Sequence, residues 1–183
     1  MHQVDIFLAP GFEEIELVTV VDILRRANIN IRLIAVADHT AVMGAHQITL
    51  EADITLAQAN NDAQMLVLPG GGPGTQAMMA SVELISRLKA HFAAGRPIAA
   101  ICAAPMVLAK AGLLRENKAT CFPGCEAPLL AAGAIISGGD VIVDGLITTS
   151  RGPGTAAAFA FELVRQIKDE AISQALRTEM LFD

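Results

Sequence analysis

A chain of 183 residues is long enough for one domain of ordinary size, with a core that needs neither disulfides nor a structural metal. At 53% hydrophobic and 17% charged residues it has less ionic cover than usual, so an apolar face hidden in a homodimer is expected. A formal net charge of -6, with no run of Lys or Arg, argues against nucleic acid or anionic membrane as partners, and neither is expected.

Val4-Asp-Ile-Phe-Leu-Ala9 reads as a first strand that stops at Pro10-Gly11. Before it, Met1-His-Gln-Val-Asp5 lacks the basic and apolar regions of a secretory leader, and three cysteines do not make a disulfide framework, so a cytoplasmic protein is expected. Glu13 to Ala27 carries Ile15, Val18, Val21, Ile23 and Leu24 at helical spacing, and Asn28 is its stop. Ile31 to Val36 is a second strand, completing a βαβ unit. Val42 to Glu51, broken at Gly44, reads as a hairpin with its return arm at Ile48 to Leu50. Met65 to Leu68 is a short buried strand running into the turn Pro69-Gly-Gly-Gly-Pro-Gly74, and Ser81 is an N-cap for a helix over Val82 to Ala94.

Ile98 to Ile101 has the length and branching of a buried strand, whereas Met106 to Ala111 is helix-forming and is closed by Gly112. Cys102 therefore lies between a strand end and a helix start, where free N–H groups and the helix dipole favour a thiolate on a strained, exposed turn. A cysteine filling space between strand and helix is the alternative reading. The window Ile98 to Leu114 is broken by Pro105, Lys110 and Gly112 and falls short of the ~20 apolar residues of a spanning helix, so it is core. Lys118 to Thr120 is a brief strand and Cys121 to Glu126 a loop. Val141 to Val143 and Leu146 to Thr149 flank Asp144-Gly145, which favours a type I′ hairpin turn. Helices over Ala156 to Lys168 and Ala171 to Thr178 close the chain. This alternation predicts a mostly parallel sheet covered on both faces, with its site at the carboxyl ends of the strands.

Gly72-Pro-Gly-Thr-Gln-Ala77 and Gly152-Pro-Gly-Thr-Ala-Ala157 match the dinucleotide fingerprint formally. Each has proline where a phosphate would want an N–H, and neither is followed by a second strand with a terminal acid, so both are read as turns. If Gly71 sits beside Cys102, its amide and that of Ala103 form an oxyanion hole. Glu13 and Glu14 complement the dipole of the first helix; Glu16, between apolar Ile15 and Leu17, is a candidate buried acid–base group beside Cys102. His2, His39, His46 and His91 are not placed near the cysteine turn by sequence, and His91 reads as a surface residue. Cys121 and Cys125 lack further ligands for zinc and read as ordinary thiols; no metal is expected.

Four stretches in this order, Gly11-Phe-Glu-Glu-Ile-Glu16, Pro69-Gly-Gly71, Ala-Ala-Ile-Cys102-Ala-Ala-Pro105 and Thr149-Ser-Arg-Gly-Pro-Gly-Thr155, with Asp22-Ile-Leu-Arg-Arg26 between the first two, resemble the ThiJ/PfpI superfamily. They are most similar to its parkinsonism-associated deglycase (DJ-one) branch and to bacterial YajL-like proteins. The resemblance implies a flavodoxin-like α/β/α sandwich that dimerises. It implies a nucleophile-elbow Cys102, a protonated Glu16 hydrogen-bonded to it, amides of Gly71 and Ala103 as donors, and Arg26, His46, Phe122, Arg151 and Pro153 around the pocket. The implied activity is cofactor-independent glyoxalase or deglycase chemistry on 2-oxoaldehydes or glycated adducts, with redox sensing or chaperone action through Cys102 as the alternative. Phe122 stands where many glyoxalase-active relatives have histidine, and His46 where relatives often have an arginine reaching across the dimer. A glutamine amidotransferase would need a His-x-Glu pair near the C-terminal end, and no histidine follows Arg151.

Overall fold

The computed structural model describes residues 4–182. Every residue of β1 (Val4–Leu8) is buried, and the pleat divides them. Val4, Ile6 and Leu8 face one apolar cluster, whereas Phe7 faces another. α1 (Glu14–Arg26) lies on the first face through Leu17, Val20, Ile23 and Leu24, and β2 (Ile31–Ala35) pairs parallel with β1. In that register Asp5 lies opposite Arg32, and the two form a buried bidentate ion pair with contacts of 2.9 and 2.8 Å.

The expected hairpin is present as β3 (Ala41–Met43) and β4 (Thr49–Glu51), a separate antiparallel pair. Two bonds strap it over the end of β1, from Gly11 N–H to Met43 O at 2.8 Å and from Ala45 N–H to Phe12 O at 2.8 Å. β5 (Ile54–Thr55), too short to show in the sequence, extends the sheet beyond β2. β6 (Met65–Leu68) pairs with β1 on its other side. The glycine-rich run after it is only partly a turn: α2 (Gly72–Ala80) begins within it, because Pro73 suits the first helical turn and Gly71 supplies an N-cap at φ 94°. α3 (Val82–Ala93) is capped by Ser81 Oγ, which accepts from Leu84 N–H at 3.2 Å. His91 lies on its buried face, not at the surface, and is 3% exposed with Nε2 3.1 Å from Pro97 O.

β7 (Ile98–Ile101) pairs with β6 and leads through Cys102 into α4 (Pro105–Lys110). β8 (Lys118–Ala119), α5 (Glu126–Ala131) and β9 (Ile135–Ile136) follow; the last two were hidden by their shortness and by Pro128. β10 (Val141–Asp144) and β11 (Ile147–Ser150) form the expected hairpin, but Asp144 pairs with Ile147, so the two-residue loop is Gly145-Leu146. Positive φ is confined to Gly145 at 57°, the requirement of a type II′ turn. After a short turn at Pro153–Thr155, α6 (Ala156–Ile167) and α7 (Glu170–Glu179) complete the chain.

The seven-stranded sheet runs β10-β11-β7-β6-β1-β2-β5, parallel throughout except for β10. α1, α6 and α7 cover one face and α2 to α5 the other, as the flavodoxin-like sandwich requires. No described helix is long and apolar enough to cross a membrane.

Candidate active site

Cys102 follows the last residue of β7 with φ 65°, a left-handed conformation that costs a non-glycine residue of order 1 kcal/mol. Both its backbone polar groups are tied: its N–H donates to Ser150 O at 2.9 Å, and its carbonyl accepts from Phe122 N–H at 2.8 Å. The turn at Cys102 is thus clamped by β11 on one side and the Cys121–Cys125 loop on the other.

Gly70 and Gly71 form the facing wall. A Cβ on Gly70 would lie 2.6 Å from Cys102 Cβ and 2.7 Å from Glu16 Oε2, so only glycine lets the three groups meet. Gly71 has φ 94° and passes against the Gly11 carbonyl, which a Cβ would approach to 2.3 Å. Gly70 N–H donates to Glu16 Oε2 at 2.7 Å, and the amides of Gly71 and Ala103 both reach the Cys102 sulfur. The predicted donors are therefore brought together on one atom.

Glu16 is fully buried, and its Oε1 has no hydrogen-bond partner. Burial pushes its carboxyl up to about 7, against hydrogen bonds with Cys102 and Gly70 that favour the anion. Burial also pushes the Cys102 thiol up to about 12, helped by the charge of Glu16 and opposed by the two amides. This corrects the expectation of a dipole-stabilised, exposed thiolate: Cys102 is 8% exposed, and α4 is only six residues long and starts at Pro105. The helix whose N-terminus meets the sulfur is α2, through its cap Gly71.

Among the pocket residues, Phe122 stands beside the elbow through its bond to Cys102, half-exposed, with its ring close against Gly152. Pro153 opens the turn after Gly152, which Thr155 Oγ1 closes by accepting from Gly152 N–H at 3.1 Å. His46 lies at the tip of the β3–β4 hairpin, where its Nδ1 is 2.9 Å from Glu14 Oε2 and 3.6 Å from Glu13 Oε2 of the same chain. Arg26 is not part of this cluster: it lies ten residues beyond Glu16 on α1, about 15 Å along the axis, and pairs with Asp22 at 2.8 Å. Arg151 is turned away as well, to Asp140 at 3.1 Å, and lines a separate cleft with Thr120, Cys121 and Glu126. Cys121 is buried and its thiol pushed up to about 12 by burial, so it and Cys125 remain ordinary protonated thiols. The pairing of His46 with Glu13 and Glu14 escaped the sequence, whose one signal is Gly44: the Glu14 carboxylate occupies the space of its missing Cβ.

Residues 2–166 match the sequence profile of the DJ-1/PfpI family. The chain belongs to that family. Drosophila melanogaster protein dj-1beta is 37% identical over 163 residues, covering 88% of this chain and 87% of that protein. Arabidopsis thaliana DJ-1 homolog B is 37% identical over 166 residues, 90% of this chain, which spans only 37% of that longer protein. A Pyrococcus abyssi protein named as a deglycase is 31% identical over 164 residues, covering 89% of this chain and 98% of its own. The structure of oxidized Toxoplasma gondii DJ-1 superposes with a TM-score of 0.93 at 32% identity, covering 99% of this chain and 98% of the other. The DJ-1/PfpI fold thus extends beyond the matched residues to nearly the whole chain.

Proposed function

We propose that this DJ-1/PfpI protein is a cysteine-dependent, cofactor-independent stress-response enzyme of the glyoxalase or deglycase type, acting on small 2-oxoaldehydes or their glycated adducts. The observation that carries the reading is the convergence of Glu16 and the amides of Gly71 and Ala103 on the Cys102 sulfur. With both groups buried, loss of a second proton is disfavoured. Where Glu16 is ionised the pair holds one proton, which passes from sulfur to Glu16 as the sulfur attacks. A bond forms between Sγ and the aldehyde carbon, and the carbonyl electron pair moves onto oxygen, where the two amides hold the oxyanion. Glu16 returns its proton to that oxyanion and, as a carboxylate again, carries the proton of that carbon to the neighbouring ketone carbon through an enediol while the hydroxyl proton shifts to the ketone oxygen, leaving a thioester. Water cleaves the thioester, releasing a 2-hydroxy acid and the free thiol, so that aldehyde plus water equals product. Phe122 offers no proton of its own, so Glu16 does this work alone and turnover is slow.

The named deglycase of Pyrococcus supports the substrate class. Exposed Ile15 and Val18 on α1, with Met43 and Ile48 on the hairpin, support a homodimer through that face. A cytoplasmic location fits the sequence reading. Conversion of methylglyoxal to lactate, followed by enzymatic assay of the acid, tests the proposal: Cys102→Ser abolishes it with the fold intact, and a variant that keeps its activity refutes the mechanism. A second reading, in which Cys102 is oxidised to a sulfinate and the protein acts as a redox sensor or chaperone, draws support from the oxidized Toxoplasma relative. Peroxide titration with intact-mass detection separates the two, since a Cys102 that stays unmodified leaves only the enzyme.

A further inference from the structure

Thr155 stands immediately before α6, where a threonine hydroxyl ordinarily caps a helix by accepting from one of its first amides. Here the hydroxyl makes no such bond. It turns back towards the end of β11 instead, with Ser150 Oγ at 2.7 Å, Gly152 O at 2.9 Å and Gly152 N at 3.1 Å. Ser150 is fully buried, and its own hydroxyl donates to Asp140 O at 2.8 Å. A hydroxyl has one proton to give. In the order that uses the two shortest contacts, Gly152 N–H donates to Thr155, Thr155 to Ser150 and Ser150 to Asp140. Thr155 thus gives up a helix cap to close the turn over residues 150–152.

Both restraints on the Cys102 backbone end on this turn. The Cys102 N–H donates directly to Ser150 O at 2.9 Å. The Cys102 carbonyl accepts from Phe122 N–H at 2.8 Å, and the Phe122 ring lies so close on Gly152 that a Cβ there would be 3.1 Å from its Cδ2. The same strand end fixes the approach to Phe122, because Thr149 Oγ1 accepts from Thr120 N–H at 2.9 Å. Cys102 has φ 65°, a conformation that a non-glycine residue keeps only where its surroundings hold it. We propose that Thr155 is a positioning residue for Cys102: its hydroxyl fixes the turn from Ser150 to Gly152, and that turn holds the Cys102 backbone through Ser150 O and through Phe122. The sulfur is thereby kept where Glu16 and the amides of Gly71 and Ala103 reach it. The positioning rests on geometry alone, whereas its effect on turnover rests on the enzyme reading proposed above.

Amide hydrogen exchange followed by NMR on the full chain tests the positioning without reference to activity. Thr155→Val keeps the shape of the side chain but leaves Gly152 N–H without its acceptor, and Thr155→Ser keeps the hydroxyl. The expected result in Thr155→Val is at least tenfold faster exchange at the Cys102 and Phe122 amides, with the amides of β1 and β2 unchanged. Thr155→Ser stays within threefold of wild type, and Ser150→Ala, which opens the turn from its other side, repeats the local pattern of the Val variant. With methylglyoxal as substrate, Thr155→Val loses at least tenfold in kcat at a KM within twofold of wild type, and Thr155→Ser recovers it. Unchanged exchange at Cys102 in both Thr155→Val and Ser150→Ala overturns the proposal. So does faster exchange spread evenly over β1, β2 and β7, which marks a general loss of stability, or an unaltered kcat in a Val variant whose Cys102 amide exchanges faster. A wild-type chain that forms no lactate refutes the enzyme reading, and exchange at Cys102 alone then decides the positioning.

Discussion

Replacing Glu16 by Gln keeps the shape of the side chain and removes its charge, which makes the energetic cost of burying this carboxyl measurable. A carboxyl with a pKa of about 7 in the folded protein and 4.5 as its ordinary value holds a proton that the unfolded chain has given up. Its contribution to stability is therefore full below pH 4.5 and is lost as pH rises to about 7. At 1.36 kcal/mol per unit, the shift corresponds to about 3 kcal/mol against folding above neutrality. The Gln variant also gains an amide group lacking an acceptor, a cost of about 1–3 kcal/mol that is the same at every pH. Urea unfolding at a series of pH values gives the difference between variant and wild type; far-UV circular dichroism is the probe, because the chain has no Trp or Tyr. The expected difference moves in favour of Gln by about 3 kcal/mol between pH 4.5 and 8. Curves that run parallel over this range would show that Glu16 does not hold a raised pKa, and the proton shuttle would fall with it.

His91 acts in the opposite sense. Burial and the charge of Arg96 push it down to about 4 from 6.5, so its contribution is full above pH 6.5 and is lost as pH falls towards 4. His91→Gln removes about 3 kcal/mol of acid sensitivity, and the same urea series measures it. Asp5→Ala leaves the Arg32 guanidinium buried without its bidentate partner and costs about 3–5 kcal/mol, read as a shift of the urea midpoint; a cost under 1 kcal/mol would mean that Asn60 and Asp62 suffice to hold it. Phe122→His places a proton donor next to the elbow and raises methylglyoxal turnover by tenfold or more, as steady-state lactate formation will show; an unchanged rate denies that position a proton-transfer role.

β1, β2, β6 and β7 were legible because each is a short apolar run bounded by Gly, Pro or a cap, and full burial on both faces demands that composition. α5 and β9 were not, since six and two residues carry too little periodicity. α2 was concealed by the very glycines that let its N-terminus approach Cys102. For the site, the motif order found Cys102, Glu16, Gly71 and Ala103, but it could not reveal direction. Arg26 and Arg151 belong to matching segments and yet point to Asp22 and Asp140. Nor could it weigh burial against the helix dipole at Cys102, because that balance depends on how completely Gly70, Glu16 and the elbow exclude water.

The clamp on Cys102 has a consequence for how the molecule comes into being. Its amide bond reaches Ser150, its carbonyl bond reaches Phe122, and its facing acid comes from residue 16, so the reactive centre is distributed across most of the chain. A polypeptide that ends before β11 holds Glu16, Gly70, Gly71 and Phe122 but lacks Ser150, so the Cys102 N–H is left without its acceptor. Closing such distant contacts is the slow part of folding. The proposed site is thus complete only once β11 is in place beside β7.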